Sequence, residues 1–404
     1  MVEFRTLMAA GAALWAVPFW TGPALAAGFS GDQIKIGVLT DESGQFSTIG
    51  GKGSVLAARM AVKDFGGTID GKPIVVVDAD HQNKPDVGSA ILRRWFDQEG
   101  VDAVTDLPVS SVALAAQEIA REKHKTLLIS GAASSALTGK ACSPYSTQWA
   151  DDSYALARGT AKAVVAAGGK SWFFLTADYA FGADMEKDAT AAITAAGGTV
   201  AGAVRHPLGT SDFSSFLLQA QSSKAKVVGF ANAGGDTVSA IKQAVEFGLP
   251  QGGQSLAGFL IFITDVHALT PQVAQNLYVT EGFYWDQNDA ARAFAKRFFD
   301  EMGRMPTKQQ AATYASVTHY LKAARAAGTV EAAAVNKEMR QLPVDFFGRA
   351  GSIRPDGRVL YDLTLYRVKP PEAVKRPWDY YQAISTIPAA DAFRPAAEGG
   401  CPLQ

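Results

Sequence analysis

The segment from Trp172 to Leu249 limits the fold most, because it reads strand, aromatic loop, helix, strand, loop, helix in close succession. WFFLT (172–176) is a continuous apolar run, as expected of a strand buried on both faces. It leads through Asp178-Tyr179-Ala-Phe181-Gly182 into a helix that closes at Gly197-Gly198. KVVGFA (226–231) repeats the pattern, with the loop Asn232-Ala-Gly234-Gly235 and Asp236 as the expected N-cap. The following helix is expected to bury Val238, Ile241 and Val245 and to stop at Gly248. Ligands of open α/β sheets lie outside the carboxyl ends of the strands, where both loops sit.

The same punctuation appears earlier. IKIGVL (34–39), IVVVD (74–78), VDAVTDL (101–107) and TLLIS (126–130) alternate with helical stretches at 52–65, 86–98 and 111–123, which implies a parallel sheet. Two α/β lobes joined by short crossing strands follow, consistent with 48% hydrophobic residues in 404, more than one core usually absorbs. Beyond Tyr284-Trp285 the stripes Phe294/Phe298/Met302 and Tyr314/Val317/Leu321 predict covering helices. VLYDLTLYRV (359–368) alternates like a half-exposed strand, and from Pro370 the pattern ceases to be periodic.

The N-terminus predicts export. Arg5 precedes a mostly apolar run from Leu7 to Trp20, followed by Pro23-Ala-Leu-Ala26-Ala27, a small-residue cleavage site. Residues 1–26 are therefore expected to be a signal peptide cut near Ala26; the run is broken by Pro18 and falls short of the ~20 residues of a spanning helix. The mature chain is expected to be extracytoplasmic. Its two cysteines, Cys142 and Cys401, are expected to form a disulfide in that oxidising compartment, the alternative being two separate buried thiols.

Charge and motifs exclude several functions. With 38 basic against 39 acidic residues there is no electrostatic footprint for nucleic acid. The glycines and lysine of Gly66–Lys72 have phosphate-loop spacing, but Pro73 replaces the hydroxyl residue and the segment runs helix to strand, so a turn is expected. His81, His124, His206, His267 and His319 are scattered, and neither a metalloprotease pair nor a serine-hydrolase elbow occurs. No catalytic residue, metal or cofactor is predicted.

The loops of the first lobe look built for binding. Thr40–Phe46, with Gln45 and Phe46, follows the first strand, Pro108–Ser111 follows the third, and Ser130–Ser135 follows the fourth. Each joins hydroxyls to small residues, and Ser110 or Ser111 opens a helix whose N-terminus favours an anion. Phe46, Trp149, Phe181, Tyr284 and Trp285 are the aromatic candidates for pocket walls.

These residues resemble the type I periplasmic solute-binding proteins of ABC importers, in the branched-chain amino acid-binding family. IKIGVLTDESGQF, LLISGAASSALT, DYAFGADMEKDATAAITAAGGTV, the stretch from Asp212 to Leu249 and TEGFYWD carry the resemblance over nearly all the mature chain. It implies two Rossmann-like lobes, a ligand cleft between them and three hinge crossings. The expected division is 32–149 with 283–345 as lobe I, and 150–282 with 346–404 as lobe II. It also implies a carboxylate held by Ser110 or Ser111 and by Ala132, Ala133 and Ser134, with Phe181 and nearby Tyr179 packing on the ligand. Asn232 and Gly234 line the opposite loop. The expected partners are a small carboxylate and an inner-membrane ABC permease, with the protein acting as a monomer.

One departure bears on the ligand. Amino acid-binding members pair the ligand's ammonium with an acid from the second lobe, and the matching position in AGFLIFITDVHAL (257–269) falls on an apolar residue near Leu260. Asp265 would replace it only with a shift of several residues. A buried ammonium without a counter-charge is costly, so a carboxylate lacking an amine is expected. The TEGFYWD and CPL segments resemble a subgroup associated with aromatic acids. Branched-chain amino acid transport and ligand sensing on the same fold are the alternatives.

Overall fold

The computed structural model describes residues 1–3, 29 and 31–403. The apolar run Leu7–Trp20 and the expected cleavage site near Ala26 lie outside the described residues.

The first six strands are β1 (Ile34–Thr40), β2 (Thr68–Ile69), β3 (Lys72–Asp80), β4 (Ala103–Asp106), β5 (Thr126–Ile129) and β6 (Ser146–Gln148). They form one sheet in the order β2-β3-β1-β4-β5-β6, parallel except for β2. Between them run α1 (Gly51–Phe65), α2 (Pro85–Arg94) and α3 (Ser110–Lys123). Strand alternation divides the core: Leu128 joins Ile36, Val38 and α1, whereas Leu127 and Ile129 join Val112 of α3. The phosphate-loop-like stretch Gly66–Lys72 runs from the C-cap of α1 through β2 and the Asp70-Gly71 turn into β3, as its order along the chain requires.

A second parallel sheet contains β7 (Ser171–Ala177), β8 (Thr199–His206), β9 (Val227–Ala231) and β10 (Ser255–Gly258) in the order β10-β9-β7-β8. Its helices are α4 (Ser153–Ala166), α5 (Ala180–Ala195), α6 (Ser214–Ser222), α7 (Gly235–Glu246) and α8 (Ile263–Ala274). Gly234, not Asp236, caps α7, and Asp236 falls inside its first turn. The buried stripe accordingly runs through Ala240, Ile241 and Ala244, leaving Val238 and Val245 half-buried.

The rest of the chain returns to both sheets. After β11 (Tyr278–Glu281) come α9 (Asp289–Met302), α10 (Lys308–Ala327), which packs on α1, and α11 (Ala332–Gln341). The strands β12 (Val344–Phe346), β13 (Arg349–Ile353) and β14 (Val359–Leu360) form a small antiparallel sheet. The run expected as one half-exposed strand over 359–368 is in fact broken at Tyr361-Asp362, because β14 pairs with β13 while β15 (Leu363–Val368) lies between β11 and β16 (Tyr381–Ile387). A central strand is covered on both faces, and β15 is buried at all but Arg367. Strand β16 lies within the tail that lacks periodicity; as a mostly exposed edge it has little apolar pattern to show.

Cys142 and Cys401 are joined, with Cα atoms 5.7 Å apart. The tail reaches that bond by way of Arg394, whose Nη2 donates to Ser135 O at 2.9 Å. Its end therefore lies against the loop that follows β5.

Candidate functional site

The loop after β1 is organised by one buried carboxylate. Asp41 accepts from Gly44 N at 2.7 Å and Phe46 N at 2.9 Å, while Asn83 Nδ2 donates to it at 2.9 Å. This presents Gln45 and Phe46 to the opposite lobe. Gly235 N donates to Gln45 O at 3.2 Å, and Phe46 and Tyr179 bring their ring centroids within 6.5 Å. With its amide nitrogen toward the carboxylate, Gln45 donates to Asp236 at 2.8 and 3.0 Å. Burial pushes Asp236 up to about 6.

Two glycines permit these approaches. Gly234 has φ 62°, and a Cβ there would stand 2.6 Å from Gln45 O. A Cβ on Gly182 would stand 1.9 Å from Ala177 O, so the turn into α5 closes only with glycine after Phe181. Phe181 is 1% exposed and lies 5.9 Å from Tyr179.

The loop after β5 crosses to α5 as well. Ser134 Oγ donates to Asp184 and accepts from Ala136 N at 3.2 Å. Ser135 and Ser153 both donate to Asp188, at 2.8 and 2.6 Å. Gln148 Nε2 donates to the carbonyls of Ala132 and Ser134, each at 3.0 Å, which holds the loop in shape.

Behind this contact lies a narrow, nearly closed crevice of about 10 Å³. Of the sequence-predicted residues, Ala133 and Trp149 line it; Leu260 and Phe262 face them from the second sheet's side. Lys308 and Gln309 from α10 complete the polar wall. Leu260, near which the resemblance expects an acid, is thus a wall residue. Asp265 is committed elsewhere, accepting from Phe262 N at 2.9 Å at the start of α8, and burial pushes it up to about 7.

The crevice floor is where three connecting segments meet. Gly282 N donates to Asp151 Oδ2 at 2.9 Å, and Tyr361 OH lies 2.5 Å from Trp149 O and 3.0 Å from Asp151 Oδ1. Lys308 Nζ donates to Thr280 O at 2.9 Å and pairs with Asp151 at 3.6 Å and Glu281 at 3.4 Å. Burial pushes Glu281 up to about 8, against the pull of Lys308.

The remaining predicted residues are placed apart. Ser110 begins α3, is 1% exposed and has an unpartnered Oγ, while Ser111 is half-buried. Asn232 accepts from Thr237 Oγ1 at 2.7 Å and meets His206 at 3.2 Å. Tyr284 packs with Trp285, Tyr366 and Tyr381. Sequence reasoning passed over Asp151, Lys308, Gln309 and Tyr361. One signal was available: Thr307 and Gln310 have capping-box spacing, and both reciprocal bonds form, so a helix start could have been placed there.

A model of the periplasmic binding protein family matches residues 33–373. The chain belongs to that family. Among solved structures, this periplasmic binding protein is similar to one from Burkholderia mallei, with 49% identity over 92% of this chain and 99% of that one and a TM-score of 0.90. It is also similar to a branched chain amino acid ABC transporter periplasmic ligand-binding protein from Burkholderia xenovorans, with 39% identity, coverage of 92% and 100%, and a TM-score of 0.81. A solute binding protein from R. palustris in complex with benzoate shares the fold at 21% identity, with coverage of 88% and 97% and a TM-score of 0.80. A Leu/Ile/Val-binding protein homolog from Brucella melitensis is 28% identical over 242 residues, 59% of this chain and 61% of that protein. The chain thus spans about three-fifths of the length of the curated relatives it matches.

Proposed function

We propose that this periplasmic binding protein captures a small carboxylate, of the aromatic-acid class, in the crevice between its lobes and delivers it to an ABC permease in the inner membrane. It acts as an exported monomer and catalyses no reaction. Lobe I comprises 32–149 and 283–345, and lobe II 150–282 and 346–404, with the Asp151, Gly282 and Tyr361 junction as the hinge. Ligand touching both lobes favours the closed arrangement, which the permease reads.

The observation that carries the ligand class is Leu260 in the crevice wall, together with the commitment of Asp265 to the start of α8. An amino acid's ammonium would enter without a counter-charge from that side, whereas an aromatic ring meets Leu260, Phe262 and Trp149. The benzoate-bound neighbour has the same fold. The 39% identical neighbour favours a second reading, branched-chain amino acid binding. A thermal-shift screen over branched-chain amino acids, benzoates and cinnamates separates the two, since a ligand at 100 Kd stabilises the fold by about 2.7 kcal/mol. Stabilisation by leucine or valine alone would remove the aromatic reading.

A further inference from the structure

One polar side chain in the crevice wall has a buried acceptor with no use inside the protein. Gln309, the second residue of α10, is 3% exposed and lines the crevice beside Ser130 and Gly131. Its Nε2 donates to Asp106 Oδ1 at 2.8 Å. Burial pushes Asp106 up to about 6, and above that pH its carboxylate only accepts, so this bond fixes which end of the amide faces Asp106 and leaves Oε1 as the other end. That oxygen is buried and has no hydrogen-bond partner.

Its polar neighbours in the wall are engaged. Ser130 Oγ shares a hydrogen bond of 2.8 Å with Thr313 Oγ1, and Lys308 Nζ is held by Thr280 O, Asp151 and Glu281. Asp151 accepts from Gly282 N and Tyr361 OH. Gln309 Oε1 is therefore the acceptor in this wall that a ligand could satisfy. Leaving such a group unpaired is the unfavourable alternative, and a site built around a buried hydrogen-bonding group rejects analogues that lack the matching group.

We infer that Gln309 Oε1 accepts a hydrogen bond from a hydroxyl or amide of the ligand, and so selects, among carboxylates of similar size, those carrying a donor at the end that enters the hinge side of the crevice. The inference rests on the crevice being the ligand site. Gln309 is then a specificity residue, and Asp106 is the group that positions its amide.

The test is calorimetric titration of the protein with the matched pair 4-hydroxybenzoate and benzoate, and with leucine beside them. Wild type is expected to prefer 4-hydroxybenzoate over benzoate by about tenfold or more. Gln309→Met should weaken 4-hydroxybenzoate alone and bring the pair within about threefold. Equal binding of the pair by wild type, or equal weakening of both by Gln309→Met, overturns the inference and leaves the aromatic ligand class standing. If Gln309→Met melts early, the wild-type preference decides alone. Binding of leucine with neither benzoate overturns the aromatic ligand class and the inference with it, as does failure of all three to bind.

Discussion

Removing the Cys142–Cys401 bond should lower stability more than any single surface change. The bond closes a loop across a sequence separation of 259 residues. The chain-entropy relation then gives about 5.6 kcal/mol at 25 °C, while losses measured on removing native disulfides run at about 2–5 kcal/mol. Part of the tail's hold survives without it: Phe393 is buried, the Arg358 guanidinium lies 4.6 Å from its ring centroid, and Arg354 Nη1 donates to Arg394 O at 2.6 Å. These contacts act on residues before 395, so the last turn would be released first. A Cys142→Ser, Cys401→Ser double variant is therefore expected to lose about 3–5 kcal/mol in urea unfolding followed by tryptophan fluorescence. The midpoint should fall with the slope nearly unchanged if the body still unfolds as a unit. An unfolding free energy within about 0.5 kcal/mol of wild type would refute the reasoning, since closing so long a loop would then contribute nothing.

Tyr361→Phe removes the hydroxyl that reaches Trp149 O and Asp151 Oδ1 in the floor of the crevice, and should cost about 1–3 kcal/mol in thermal or urea unfolding; no change would show that neither bond contributes. Glu281 goes from an ordinary 4.5 to about 8 in the folded protein, so the native state holds its proton where the unfolded chain has lost it. Stability should therefore be fullest below about pH 4.5 for this group and fall as pH rises toward 8, by up to about 1.4 kcal/mol per unit; Glu281→Gln should flatten that slope in urea melts across this range. A slope unchanged in the variant would refute the assignment. Phe181→Ala should cost about 3–5 kcal/mol in stability, because the ring is buried at the turn into α5, and calorimetry should show weaker ligand binding as well; retained affinity would make Phe181 a core residue only.

Most of the two sheets was legible because buried parallel strands such as Trp172–Thr176 carry continuous apolar runs that few other structures tolerate. The loops at their carboxyl ends were legible too, since Gly182 and Gly234 stand where backbone crowding excludes a side chain. Strand β16 was missed because an exposed edge need not alternate. The crevice floor was missed for another reason. Asp151, Gly282, Lys308 and Tyr361 lie far apart along the chain, and each looks ordinary among its sequence neighbours. Only the return of the chain through α10 and the strands after it brings them together. Gln309 has the same character: its meaning comes from Asp106, about 200 residues away, holding one end of its amide.

The most direct measurement of the central claim is calorimetric titration of the protein with benzoate-class acids and with L-leucine under one set of conditions. The wall of Leu260, Phe262 and Trp149 predicts that aromatic carboxylates bind more tightly than leucine. Submicromolar leucine binding with no heat from any aromatic acid would contradict it.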